Sequence, residues 1–64
     1  MSDMTGPELR RTLTALGMTQ GSFARLIEVS DDTVSRWHTG QRAIPKVVAL
    51  YLRLLLALQR GEPK

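Results

Sequence analysis

Apolar residues recur along this chain at helical spacing and nowhere alternate. Leu9, Leu13 and Leu16 stand at i, i+4 and i+7 and make one stripe. Thr5-Gly6-Pro7-Glu8 precedes them as a T-x-x-E capping box with proline in the first turn, and Gly17 ends the helix. Thr19 caps the next helix, Met18 is placed to staple onto Phe23, and Phe23, Ala24, Leu26 and Ile27 form the inward face, with Arg25 and Gly21 outward. The pattern stops at Val29. Ser30 caps a third helix with Val34 and Trp37 inward at i, i+3, closed by Gly40. That helix is barely more than two turns and has to be held by packing. Pro45 starts a last helix running to about Leu58, with Ile44 before it pushed towards an extended backbone. The expectation is one all-α domain over residues 1–64, with four helices, short connections, no strand, and flexible ends at 1–4 and 59–64.

The last helix carries more apolar surface than one neighbour can cover. Val47, Leu50, Tyr51, Leu54 and Leu58 make one stripe, and Val48, Leu52, Leu55 and Leu56 make a second. A helix apolar nearly all round is buried on more than one side. A chain of 64 residues without cysteine buries a small core and has no disulfide or thiolate metal site to staple it, so association is the remaining route. The second stripe (Val48, Leu52, Leu55, Leu56) is therefore expected to be the interface of a symmetric homodimer. The alternative is that it packs against the first helix.

Charge adds little by itself. Nine Lys and Arg against six Asp and Glu give a net charge of +3, which permits nucleic-acid binding without requiring it. The longest apolar run, Val47 to Leu58, contains Arg53 and is too short to span a bilayer, and no signal peptide is recognisable. The expectation is a cytoplasmic protein with no membrane partner. No enzyme is expected either: Asp31 and Asp32 are adjacent and do not face each other on a helix, no phosphate-cradling glycine loop is present, and the single histidine, His38, has no cysteine near it. No metal, cofactor or small-molecule ligand is predicted.

Two helices joined by three or four residues, the second very short, suggest a helix-turn-helix over about residues 19–39. Gln20 opens the first of the pair, Ala24 is small where the helices cross, Val29 plugs the turn, and Val34 and Trp37 anchor the second from below. With these residues in place the stretch TQGSFARLIEVSDDTVSRWHTGQRAIP, Thr19 to Pro45, resembles the helix-turn-helix regulators of the Cro and lambda-repressor-like family, and flanking helices lie where that family has them. One position departs from the pattern: Glu28 stands where the family usually has glycine in the turn. The resemblance implies a compact domain of four or five helices that binds double-stranded DNA at a near-palindromic operator.

The face opposite Val34 and Trp37 carries Asp32, Ser35, Arg36 and Thr39 at i, i+3, i+4 and i+7, the expected base-reading stripe. Arg36 is the main candidate, because its planar fork matches the two acceptors of a guanine edge. Phosphate contacts are expected from Ser30 at the leading tip and, by the resemblance, from Gln20, Gln41 and Arg42, with Lys46 close enough to join them. Arg10, Arg11 and Arg25 are weaker candidates. The acids at the tip look out of place against DNA. In a first helical turn, however, they complement the exposed N–H groups and the positive dipole end, which suffices for Asp31. Asp32 points further outward, where a carboxylate can accept from a cytosine amino group and oppose indiscriminate phosphate binding. A homodimeric autorepressor is the leading expectation. An antitoxin or an adaptor using the last helix is the alternative, although Gln59 to Lys64 leave little chain for a toxin-binding arm.

Overall fold

Three of the four helices begin at the side-chain cap their sequence offers. The Thr5 hydroxyl accepts from Glu8 N–H while the Glu8 carboxylate accepts from Thr5 N–H, a complete capping box that opens α1 (Gly6–Ala15). Thr19 and Ser22 repeat the reciprocal arrangement at α2 (Gln20–Leu26), where Thr19 alone was expected to act. The Ser30 hydroxyl accepts from Thr33 N–H and opens α3 (Asp31–Thr39). Pro45 precedes α4 (Lys46–Arg60) without a side-chain cap. The computed structural model describes residues 4–61, and among them these four helices are all the regular structure present.

The helix ends explain the tight connections. After α1, Gly17 takes φ +72°, Met18 N–H reaches the Leu13 carbonyl at 2.9 Å and Gly17 N–H the Thr14 carbonyl at 3.0 Å. This is a Schellman ending, which satisfies carbonyls the helix would otherwise leave open. The same ending follows α2, with Val29 N–H on the Ala24 carbonyl at 2.9 Å and Glu28 at φ +61°. Glu28 therefore occupies the left-handed position that suits glycine, at a cost of roughly 1–2 kcal/mol that the two turn hydrogen bonds and the packing of Val29 have to offset.

The core gathers Leu9 and Leu13 of α1, Phe23 and Ala24 of α2, Val34 and Trp37 of α3, Ile44, and Ala49 and Leu52 of α4. α3 lies against both α1 and α2, and α4 lies against α1. The Cα radius of gyration is 11.2 Å, close to the roughly 10–11 Å of a single packed body of this length.

Four expectations need correction. Met4 is buried in the core and not a loose end, because its apolar side chain joins the cluster that Leu9, Phe23 and Trp37 form. Gln59 and Arg60 continue α4, and the Gln59 side chain donates to the Ala15 carbonyl at 2.7 Å, closing an open carbonyl of α1. Residues 1–3 and 62–64 lie outside the described residues. Leu26 is exposed, because α2 turns its Phe23 and Ala24 side inward and Leu26 falls on the other side of the same turn.

The fourth correction is the largest. Leu52, expected in a dimer interface, is fully buried in the chain's own core, and Val48 packs against that core while Leu55 and Leu56 are half-buried. The outward stripe is the other one: Val47, Leu50, Tyr51, Leu54 and Leu58. Both stripes have the right period, and the choice is made by packing: α4 lies against α1 with Ala49 and Leu52 buried.

Candidate functional site

α3 divides sharply into two faces. Val34 is fully buried and Trp37 nearly so, with the indole in the core and not on the surface. Asp32, Arg36 and Thr39 are exposed on the far side and Ser35 is half-buried beside them. The inward anchors hold this short helix against the core and leave its outer stripe facing solvent.

Within that stripe Arg36 Nε donates to Asp32 Oδ2 at 2.7 Å, an i, i+4 ion pair with 47% of the arginine and 70% of the aspartate side chain exposed. Asp32 is thus not a lone carboxylate aimed outward; it holds the arginine. Bonding through Nε leaves the outer edge of the guanidinium, the two Nη groups, available to a further acceptor. The Thr39 hydroxyl donates to the Arg36 carbonyl at 3.2 Å. The pairing was legible from the spacing of Asp32 and Arg36, which stand one helical turn apart.

Three of the other expected positions, Gln20, Ser30 and Arg42, are tied to the same helix. Gln20, at the start of α2, donates from its side-chain amide to the Asp31 carbonyl at 3.4 Å and so ties the two helix beginnings together. The Ser30 hydroxyl is engaged in its cap and in a 2.9 Å bond with the Thr33 hydroxyl. Gln41 and Arg42 are exposed on the loop that follows Gly40, and Arg42 N–H donates to the Arg36 carbonyl at 3.2 Å, so that loop is pinned to α3. Lys46 is exposed at the start of α4. Arg10, Arg11 and Arg25 are exposed on α1 and α2. Among the described residues no three His, Cys, Asp or Glu side chains gather where a metal ion could sit, and no helix is long and apolar enough to cross a membrane.

His38 lies on the inner margin of α3. It is half-buried and its Nε2 is enclosed without a hydrogen-bond partner. A helix C-terminus ordinarily favours the charged imidazole. Here burial, and next the positive charge of Arg10, hold its pKa below the usual 6.5. Above pH 6.5 both the folded and unfolded forms are mostly neutral and stability is at its full value. As pH falls through 6.5 the unfolded chain binds the proton first, so stability declines until the folded form also titrates. Thermal melts at pH 7.5 and 5.5 should therefore show a drop at the lower pH that His38→Gln reduces; an identical drop in the variant would remove His38 as its source.

A scan against protein-family models and searches of curated proteins and of solved structures find no match to this chain.

Proposed function

We propose that this chain is a sequence-specific DNA-binding regulator, with α2 and α3 acting as a helix-turn-helix of the Cro and lambda-repressor-like kind. On this reading it represses transcription, its own included, by holding a near-palindromic operator with two copies. The observation that carries the reading is the two-faced α3: an apolar side anchored by Val34 and Trp37, and an outer side on which Arg36 stands exposed with its fork edge free.

α3 enters the major groove by its amino-terminal half. Arg36 reads a guanine edge through its Nη groups while Asp32 fixes the tilt of the guanidinium through Nε. Asp32 also partly neutralises that arginine away from its target, which lowers affinity for unrelated duplex and sharpens choice. Ser35 and Thr39 add contacts along the stripe. Gln20, Ser30, Gln41, Arg42 and Lys46 meet the phosphates on either side, since backbone contacts set register and base contacts set sequence. Two copies related by a two-fold present their α3 helices to successive major-groove turns roughly 34 Å apart.

Selection of bound fragments from random duplex DNA should return a two-fold-symmetric consensus containing guanine. On that consensus Arg36→Ala is expected to lose about 10- to 100-fold in affinity, the equivalent of roughly 1–3 kcal/mol at one base pair, with little change on unrelated duplex. Arg42→Ala should weaken all sequences alike and reduce the salt dependence by about one ion. Failure of the selection to enrich any sequence, with both variants binding as the parent does, would remove DNA recognition from this face.

A further inference from the structure

The outer face of α4 is apolar over its length. Val47, Leu50, Tyr51, Leu54 and Leu58 stand at i, i+3, i+4, i+7 and i+11, reaching from 36% exposed at Tyr51 to 71% at Val47. They follow one side of the helix for about 16 Å. With exposed Leu26 alongside, the patch is on the order of 500 Å² per chain, the upper end of what monomers leave open. α4 has no acidic residue, and its Lys46 and Arg53 border the stripe without interrupting it.

The two ends of this stripe differ in shape. At the amino-terminal end Val47 and Tyr51 join Val48, Leu26, Ile27 and Val29 around a shallow apolar hollow of about 390 Å³. At the other end Leu58 projects, 64% exposed. A projection at one end and a hollow at the other are complementary when a second copy lies antiparallel.

We propose that a second copy of this chain packs on the Val47–Leu50–Tyr51–Leu54–Leu58 face of α4, antiparallel about a two-fold, with Leu58 of each chain seated in the hollow of the other. A two-fold satisfies both ends at once, which a single projecting residue on an unrelated protein would not. Doubled by symmetry the contact buries roughly 1,000 Å², about the threshold that separates biological interfaces from incidental contacts. The rotation sets Arg53 near its own copy, so added salt screens the repulsion and tightens the pair. The inference completes the two-copy reading of DNA binding and rests on it for its purpose. Its physics involves no DNA, and its test uses none, so either can fail while the other stands.

Sedimentation equilibrium of the whole chain should show a dimer that strengthens between low and moderate salt, opposite to the salt dependence of DNA binding. Leu54→Glu should be monomeric with an unchanged helical circular dichroism spectrum, since Leu54 is half exposed and outside the core. The chain has no cysteine, so introduced thiols report geometry directly. A mixture of Val47→Cys and Leu58→Cys chains should oxidise mainly to the mixed disulfide. A monomeric parent at millimolar concentration, a dimer that survives Leu54→Glu, or exclusive 47–47 cross-linking, which requires parallel helices, would each overturn the proposal.

Discussion

Gly6→Ala is expected to destabilise the fold by about 1–3 kcal/mol, the usual cost of forcing one extra carbon into a packed contact. Gly6 is the first residue of α1 and is buried against the end of α3. A Cβ built there would clash with the His38 carbonyl oxygen and touch its carbon at 3.0 Å. The obstacle is backbone, which cannot swing aside as a side chain would. Either α1 and α3 separate, which opens the space around Leu9 and Trp37, or α1 loses its first turn and its capping box. Gly21→Ala is the matched comparison: its Cβ would come no nearer than 4.0 Å to the Asp31 carboxylate, an ordinary contact. In a helix, alanine gains up to about 1 kcal/mol over glycine, so that variant should be neutral or slightly stabilised. Chemical denaturation of the two proteins should separate them in sign. Equal midpoints would mean that the α1–α3 contact yields more easily than its geometry implies.

Leu52 should prove the most costly α4 position to alter. It is fully buried in the core cluster, and Leu52→Ala is expected to lose about 2–5 kcal/mol through lost contact and the cavity left behind. A domain of this length has roughly 3–10 kcal/mol in hand, so this one truncation approaches the whole. Leu52→Glu places a charge where no partner can reach it and should prevent folding outright. Read as an interface position, the same substitution would have produced folded monomers. Circular dichroism of Leu52→Glu beside Leu54→Glu therefore separates the two assignments of the helix faces. A folded Leu52→Glu chain would reverse the orientation of α4 described above.

The local signals carried far. Thr5, Thr19 and Ser30 cap the helices that follow them, Gly17 and Gly40 close two helices in left-handed conformations, and even the unfavourable Glu28 takes the positive φ its place in the turn demands. These are interactions among residues within a few positions of one another, so their partners are visible in the order of the chain. The same holds for the division of α3, where Val34 and Trp37 could face only one way if Asp32 and Arg36 were to stay in water.

The orientation of α4, the burial of Met4, the close approach at Gly6 and the Gln59 bond to Ala15 were not legible in that way. Each depends on a partner tens of residues distant or at the other end of the molecule. Sequence alone was enough for four helices and no strand, for where each helix starts, for where the first three stop, and for the polar side of α3, because caps, glycines and apolar period act within a turn or two. Which of two equally periodic stripes on α4 turns inward had to wait for the packed molecule. Helical period ranks both alike, and the choice belongs to packing against α1, a partner more than thirty residues away in the chain.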